Sequence, residues 1–432
     1  MIALTPITKS PRRIEPFRIW CVVIVILSGC AAGTTSSESA SSAGSTPSPV
    51  MSDQPPSSTA IPTPLPTPTP LPTPQPIAAT SATFALLPTN APEGFQSTIV
   101  CEGAIGPSDP VAVVRLKTSE EFVTTQVLRD YVDLAAPRTA CMFGDGNFYV
   151  EDVIDSRHVL ITSEGIHAVI DLPEVRYHWF ALPQAVDTYA NLLAVSPGLD
   201  AVVWARQRTV AEPFEVLDRE LMITTAAGDA VVAELPAVEG GRCGAPTDSK
   251  LADYHPTGDR YYALDQILPS VNALVVASGA RSEMELFPPD GGWQADEVPT
   301  FPVWSPTEEV LYYRLGADVM RWTPEGGSEL FLAHTPWFHP SMTADGRYLA
   351  YTVESDLYLV DFTTDATPRL IRENVLWPVF VNASQIWFVE APDMGCVTDQ
   401  MVELVYDVRD GSEGPSVIQS VLSVWPQTSS NH

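Results

Sequence analysis

The residues around Cys30 predict the chemistry of this cysteine more clearly than that of any other residue in the sequence. It follows Leu27-Ser28-Gly29 and an apolar stretch over residues 19–26. Positive charges precede this stretch, at Lys9, Arg12, Arg13 and Arg18. The stretch is too short to span a bilayer, which needs about 20 apolar residues. A basic start, a short apolar run and small residues at its end are typical of a signal peptide, which we assign to residues 1–29.

Leu27-Ser28-Gly29-Cys30 resembles the lipobox of bacterial lipoproteins. The resemblance implies that Cys30 becomes the lipidated first residue of the mature chain. Each buried methylene contributes roughly 0.8 kcal/mol, so two or more acyl chains hold a protein firmly on a membrane. We therefore expect membrane lipid as a partner and a location on the extracytoplasmic face of the cell membrane. The alternative is an ordinary secretory signal or an uncleaved anchor with an incidental thiol, and either would still export the chain.

Four cysteines remain once Cys21 leaves with the signal peptide and Cys30 carries lipid. In an oxidising compartment they can pair in three ways. We expect Cys101 with Cys141, a local pair, and Cys243 with Cys396, which would tie a middle loop to a late one. Free buried thiols are the alternative. A metal site is less favoured, because the sequence has no Cys-x-x-Cys or Cys-x-x-His spacing.

The histidines and acidic residues of the chain do not have the spacing expected of a metal site. His334 and His339 are five positions apart, whereas residues on one face of a strand differ by even numbers, so we expect structural roles. Asp145-Gly-Asn147 lacks the alternating acids and terminal glutamate of a calcium loop, which favours a plain turn. Glu120-Glu121 and Asp410-Gly411 indicate solvated faces and turns. We predict no metal and no cofactor.

Catalytic motifs are also missing from the sequence. No Gly-x-Ser-x-Gly nucleophile motif occurs, and Thr343-Ala-Asp-Gly-Arg-Tyr does not match the Asp-box pattern Ser-x-Asp-x-Gly-x-Thr-Trp. We therefore assign no catalytic residue and favour a protein that is not an enzyme.

The charge balance narrows the range of partners. The chain has 23 Lys and Arg against 53 Asp and Glu, a net charge of −30. Loss of residues 1–29 removes four bases and one acid, which makes the mature chain more acidic still. Binding to nucleic acid depends on basic side chains at the phosphates, so we expect no nucleic-acid partner. Acidity that keeps an exposed domain soluble is favoured over a specialised cation-binding surface.

Residues 30–85 are rich in Ser, Thr, Ala and Pro, and proline alternates almost strictly over 61–76. Proline fixes its own backbone angle and biases the residue before it toward extended geometry. We expect a disordered stalk with polyproline II character, at about 3.1 Å per residue, rather than a docking ligand for aromatic grooves. The folded domain then spans residues 86–432, and its size and hydrophobic content suit one large core.

A turn followed by a β-branched and aromatic run recurs six times in this domain. The copies lie at 155–162, 197–204, 256–263, 304–313, 343–351 and 381–388. Corresponding residues are 38 to 59 positions apart, a spacing typical of propeller blades. We predict an all-β propeller of six four-stranded blades, or seven if 101–150 forms its own. A pair of β-sandwiches is the rival fold.

Two segments at the ends of the domain are harder to assign. Residues 119–134 could form a short helix capped by Ser119, although their Val and Thr content argues against it. The apolar runs at 401–406 and 417–424 are expected to complete the last blade, with a strand exchanged with the first blade as an option.

Parts of the repeat resemble the TolB-type, WD-like propeller family. The matching stretches are Trp304-Ser-Pro306, Asp345-Gly-Arg347 and Leu357-Tyr-Leu-Val-Asp361, and the resemblance is best over 300–390. Between 150 and 300 the Asp-Gly-Arg element is replaced by Gly-Leu-Asp or Gly-Asp-Arg. The resemblance implies a propeller that binds across one face or its central channel.

We favour a non-enzymatic surface lipoprotein that binds an envelope protein or glycan, because the sequence has a predicted lipid anchor and a stalk and lacks a catalytic motif. Trp304 and Phe338, near the turns of the repeat, are the candidate binding-face residues. The tryptophans of the repeats could instead wedge between blades, as aromatic residues more often do. The alternative is a glycan hydrolase or lyase, with acids that converge from separate blades and leave no linear motif.

Overall fold

A computed structural model describes most of the domain. The described residues are 89–95, 99–101, 111–117, 123–129, 138–144, 148–163, 165–183, 188–209, 216–236, 250–256, 258–267, 270–287, 297–364, 366–390 and 401–425. All of them belong to one compact unit, Ala79–His432. The predicted signal peptide and stalk lie outside the described residues.

Every regular element in the described part of the chain is a strand. In chain order they are β1 (Ile99–Cys101), β2 (Val111–Lys117), β3 (Val123–Arg129), β4 (Arg138–Phe143), β5 (Tyr149–Val153), β6 (His158–Ser163), β7 (Ile166–Asp171), β8 (Arg176–Phe180), β9 (Thr188–Val195), β10 (Ala201–Thr209), β11 (Val216–Thr225), β12 (Gly228–Leu235), β13 (Ala252–Tyr254), β14 (Arg260–Ile267), β15 (Ser270–Ser278), β16 (Arg281–Leu286), β17 (Pro299–Trp304), β18 (Leu311–Leu315), β19 (Asp318–Thr323), β20 (Gly327–Leu332), β21 (Trp337–Met342), β22 (Tyr348–Val353), β23 (Asp356–Asp361), β24 (Arg369–Arg372), β25 (Val375–Phe380), β26 (Gln385–Glu390), β27 (Val402–Asp407), β28 (Glu413–Pro415) and β29 (Ile418–Trp425).

These strands form seven antiparallel sheets, which we number as blades 1 to 7. Blades 2 to 7 each contain four consecutive strands, from β5–β8 to β25–β28. Blade 1 has the order β1-β4-β3-β2-β29, so the last described strand closes on the first ones. The fold is an all-β propeller, as predicted. Its blades number seven in the described chain, the alternative that required 101–150 to form its own blade, and not the favoured six.

In blades 2 to 7 the first strand in chain order lies at the centre of the propeller, and in blade 1 the last strand of the chain, β29, takes this place. β9 packs beside β13, β17 beside β21, β21 beside β25, and β29 beside β5. In blade 5, every residue of β17 is buried, whereas β20 at the other end of the sheet is largely exposed. The innermost strands are therefore β29, β5, β9, β13, β17, β21 and β25 in blade order.

The repeated turn is held by an aspartate and an arginine. In blade 6, Asp345 accepts hydrogen bonds from the Thr343 hydroxyl and the Arg347 amide, and Arg347 pairs with Asp361 at the end of β23. Gly346 has φ +69°, and a Cβ there would lie 2.5 Å from the Thr307 hydroxyl of blade 5. This geometry explains why Asp-Gly-Arg is followed fourteen residues later by an aspartate.

The innermost strands share a β-bulge. In blades 5 to 7 the pairing shifts around Phe301, His339 and Trp377, each of which precedes a proline and has a left-handed φ near +50°. Residues before proline normally take extended angles, and large side chains rarely take positive φ. The bulge bends each strand around the central axis and is common at the rims of closed sheets.

Two expectations for the ends of the domain are resolved by blade 1. The short helix considered within 119–134 is wrong, because β3 (Val123–Arg129) runs through it and pairs with both β2 and β4. The run at 401–406 falls on β27 of blade 7. The run at 417–424 falls on β29, the innermost strand of blade 1, so a strand is exchanged with the first blade.

Candidate functional site

The two faces of the propeller differ in the length of their connections. We call the end where the innermost strands begin the upper face, and the end where they finish the lower face. Three upper-face connections, 236–251, 287–298 and 391–401, are longer than any at the lower face, where the longest is 102–110. Loops placed on a rigid scaffold usually carry the binding function of a protein, so the upper face is the candidate interaction face.

A buried three-membered ion cluster joins two blades that are not adjacent. The ammonium Nζ of Lys250 lies 2.7 Å from Oδ2 of Asp152 and 2.9 Å from Oδ1 of Asp253. Asp152 lies on β5 of blade 2 and Asp253 on β13 of blade 4, so the cluster links two innermost strands that are not neighbours. Oδ2 of Asp253 is buried without a hydrogen-bond partner. Asp152 and Asp253 occupy the same position in their blades, two residues before the residue whose backbone N–H closes the repeated turn. In blade 5 this position is taken by Val303.

Burial and charge act against each other in this cluster. Burial opposes the charge on Lys250, but the two carboxylates outweigh it and raise the pKa of the amine above its ordinary value. Burial raises the pKa of the Asp253 carboxyl to about 7, although Lys250 pulls it down. Lys250 is therefore protonated throughout the physiological pH range and cannot serve there as a general base.

A pocket opens between blades 3 and 4, and Leu251 in its wall is the chain neighbour of Lys250. Its cavity of about 20 Å³ is large enough for one water-sized group. Its polar lining comes from Asn191, Gln207 and Asp265, and its apolar lining includes Leu193 and Leu251. Asn191 lies on the first half of β9, and Gln207 and Asp265 lie near the ends of β10 and β14, which places the pocket toward the upper face.

A fully buried ion pair stands next to this pocket. Arg219 on β11 donates through both terminal nitrogens to the two oxygens of Asp265 on β14, so the pair joins blades 3 and 4. Nε of Arg219 is buried without a hydrogen-bond partner. Burial raises the pKa of Asp265, and Arg219 opposes the rise. Because its partner holds both oxygens, the carboxylate is fixed in orientation at the pocket wall.

Two tyrosines on innermost strands are strongly exposed near the upper face. Tyr149 begins β5 and is 72% exposed, and Tyr189 lies near the start of β9 and is 68% exposed. Tyr189 is the direct register partner of Gln207, so both side chains lie on the face of blade 3 that carries the pocket. Tyrosine is a frequent contact residue in binding surfaces because it offers an apolar ring and a polar tip.

The two residues predicted from the sequence to lie on the binding face, Trp304 and Phe338, differ in how deeply they are buried. Trp304 is fully buried between blades 4 and 5, where its ring packs with Tyr262 and its Nε1 donates to the Asp253 carbonyl oxygen at 3.1 Å. Its position is that of an inter-blade wedge. Phe338 is half-buried on β21, with Phe301 at 5.2 Å and the Arg314 guanidinium 4.7 Å from its ring centre. Neither residue contacts the pocket.

One of the two predicted disulfides is present. Cys101 and Cys141 are bonded, and they are direct register partners on β1 and β4, so the bond attaches the outermost strand to blade 1. Cys243 and Cys396 lie outside the described residues, as does Cys30. The predicted second pair and the predicted lipidation are untested.

The two histidines considered for metal binding are separated in the structure. His334 is exposed and its amide donates to Asp318, whereas His339 packs edge-on against Phe301 at 5.5 Å. Burial lowers the pKa of His339 to about 4, so the ring is neutral at physiological pH. Within the described ranges, no three His, Cys, Asp or Glu side chains are grouped so that they could hold a metal ion. Asp145-Gly-Asn147 is outside those ranges.

Sequence reasoning missed the ion cluster and the pocket. A detectable signal existed for the cluster, because Asp152 and Asp253 occupy the same repeat position, where later blades have Val303, Ser341 and Val379. The pocket has no comparable signal, because its polar residues come from strands of two blades.

Comparisons with known proteins return fold likeness only. No protein-family model matches the sequence, and no curated protein does. Similar solved structures include an oligogalacturonate lyase in complex with manganese, with 14% identity, TM-score 0.36, and coverage of 68% of this chain and 93% of that one. The β-propeller domain of Cps50 (Swd1) from Myceliophteria thermophila has 11% identity and a TM-score of 0.36, with coverage of 60% of this chain and 84% of that one. A putative TolB from Agrobacterium tumefaciens has 10% identity and a TM-score of 0.30, with coverage of 72% of this chain and 89% of that one.

The described chain contains no helix with the length and apolar character needed to cross a bilayer.

Proposed function

We propose that the protein is a lipid-anchored extracytoplasmic lipoprotein whose propeller is a non-enzymatic binding module for an envelope protein or polymer. Lipid on Cys30 holds the chain at the membrane, and the stalk carries the propeller away from it. The upper face meets the partner. Fold alone does not name a partner, so the proposal depends on features of this chain.

The observation that carries the proposal is the difference between the two faces. At the lower face of blades 2 to 7, the turn that follows each innermost strand has four to six residues, such as 343–347 in blade 6, and is closed by a backbone hydrogen bond at the same position in every blade. The upper face has the three longest connections, the pocket and two exposed tyrosines. Connections of varied length around a constant scaffold are typical of a face adapted to a particular partner.

Site-specific photo-crosslinking in intact cells tests the proposal. A photoreactive benzoylphenylalanine is placed at Tyr149 or Tyr189 of the full-length protein, and at Glu308, exposed in a lower-face turn, as the control. Adducts from the two upper-face positions, identified by mass spectrometry and glycan analysis, support the proposal. Adducts confined to Glu308, or no adduct at any position, contradict it.

The glycan-hydrolase alternative draws on one observation, the pair of carboxylates at Asp152 and Asp253. Both bind one ammonium, at 2.7 and 2.9 Å, so the two oxygens are no more than about 5.6 Å apart, which is compatible with the roughly 5–5.5 Å between the carboxyl groups of retaining glycosidases. Binding is favoured because Lys250 fills the space between them, where a substrate would have to lie. Release of reducing ends from envelope polysaccharide by wild-type protein, lost in Asp152→Asn, would instead favour the hydrolase.

A further inference from the structure

We propose that the pocket between blades 3 and 4 binds a sugar unit, with the Tyr189 ring against the sugar face and Asn191 and Gln207 hydrogen-bonded to its hydroxyls. The inference rests on the proposed function and deepens it, because it names the chemical class recognised at the upper face. It depends on the geometry of residues from two neighbouring blades, 3 and 4.

Strand register brings the aromatic and the amides together. Tyr189 pairs directly with Gln207, and Asn191 pairs with Ala205, across β9 and β10. Side chains two residues apart on a strand share one face, so Tyr189, Asn191 and Gln207 all point toward blade 4. Asn191 and Gln207 line the pocket, and Tyr189, which is 68% exposed, is the cross-strand neighbour of Gln207 on the same face of the sheet.

The chemistry of the lining suits a hydroxyl-rich ligand. Each amide offers both a donor and an acceptor, which a sugar hydroxyl can use at once. Asp265 adds an acceptor whose orientation is fixed by Arg219. The cavity of about 20 Å³ has room for one hydroxyl or hydroxymethyl group, so the rest of the sugar would lie outside it, at the level of Tyr189. Leu193 and Leu251 face the carbon atoms of the inserted group.

Ionic ligands fit this pocket less well. Asp265 is the one ionisable residue among those that line it in the described chain, which disfavours an anion such as phosphate. A metal cation is disfavoured because Arg219 already occupies both carboxylate oxygens. A neutral, polyhydroxylated group is the class for which these residues offer complementary contacts without an unpaired charge.

The test measures disaccharide binding to the full-length protein in detergent. Cellobiose, chitobiose, lactose and maltose are used as probes, and binding is followed by saturation-transfer NMR and titration calorimetry. We expect at least one probe to bind, and Tyr189→Ala and Gln207→Ala each to weaken that probe about tenfold, the effect of losing one good contact.

Leu330→Ala is the control. Leu330 is an exposed apolar residue, 55% accessible, on β20, the outermost strand of blade 5, and it belongs to neither of the two blades that form the pocket. The control should bind the probe as the wild type does, and thermal melting should show that all variants are folded. Unchanged binding by folded Tyr189→Ala, or an equal loss in Leu330→Ala, overturns the assignment of the pocket.

Two further outcomes separate this inference from the proposed function. If no disaccharide binds the wild type but photo-crosslinks form at the upper face, the sugar inference is wrong and the binding function stands. If neither disaccharide binding nor an upper-face crosslink is found, both are wrong.

Discussion

Replacement of Lys250 with methionine is predicted to destabilise the propeller strongly, and more so at high pH. The substitution keeps much of the side-chain volume but removes the ammonium that lies between Asp152 and Asp253. These three side chains are 9–16% exposed, so water can replace little of the lost interaction. The variant therefore leaves two buried carboxylates facing each other without a counter-charge.

The size of the effect follows from the distances. The oxygens lie 2.7 and 2.9 Å from Nζ, so they are at most about 5.6 Å apart, and two like charges within that distance repel by about 3 kcal/mol or more at an effective dielectric constant of about 20. Removal of one partner from a buried ion pair costs about 3–5 kcal/mol. We expect the free energy of unfolding of Lys250→Met to fall by about 3–5 kcal/mol at pH 8.

The pH dependence has a definite sign. The folded-state pKa of Asp253 is raised from 3.8 to about 7, so between these values the folded protein holds more protons than the unfolded chain. Stability contributed by this group therefore falls as pH rises through that window. Without Lys250 the pKa of Asp253 rises further, so the window extends to higher pH and the total fall in stability is larger. At pH 5 the Asp253 carboxyl is protonated and no longer repels Asp152. The loss in free energy of unfolding caused by Lys250→Met should therefore shrink to about 1–2 kcal/mol at that pH.

Urea denaturation of the full-length protein at pH 5 and pH 8 measures both quantities. The control is the triple variant Asp152→Asn, Lys250→Met, Asp253→Asn, which removes all three charges and should recover most of the stability, because neutral groups carry no unpaired charge. An equal loss at both pH values, or no recovery in the triple variant, would refute the electrostatic reasoning and leave packing as the cause.

Three further predictions concern the disulfide, the core and the anchor. Joint replacement of Cys101 and Cys141 by serine should lower stability by about 2–4 kcal/mol and expose β1 to proteolysis, because the bond closes a loop of 40 residues; unchanged denaturation would contradict this. Trp304→Ala should cost about 3–5 kcal/mol in thermal or chemical unfolding, because it empties an inter-blade wedge; a surface role would cost far less. Cys30→Ser should abolish incorporation of labelled palmitate and release the protein from the membrane fraction; retention there would argue against the lipid anchor.

The fold was largely predictable because its information is local. Each copy of the repeat contains its own turn and its own strand formers, so a stretch such as 343–371 predicts three successive strands from nearby residues. Blade 1 was harder to predict because its innermost strand comes from the other end of the chain. β29 pairs with β2 across roughly 300 residues, and no local pattern in β2 or β3 indicates that partner.

The candidate sites were less predictable than the fold because each is assembled across blades. Arg219 and Asp265 belong to strands of different blades, 46 residues apart in the chain, and only the packing of blade 3 on blade 4 shows that they neutralise each other. Lys250 gives no sign in the sequence that it reaches past blade 3 to Asp152. Sequence also placed Trp304 correctly in the repeat but could not distinguish a wedge from a binding-face residue.

The central claim is that the upper face of the propeller is its binding face. The most direct measurement is the photo-crosslinking yield from Tyr189 compared with that from Glu308 in intact cells. Our account predicts a discrete adduct from Tyr189 that unlabelled full-length protein competes away, and none from Glu308. A competable adduct from Glu308 without one from Tyr189 would contradict the claim.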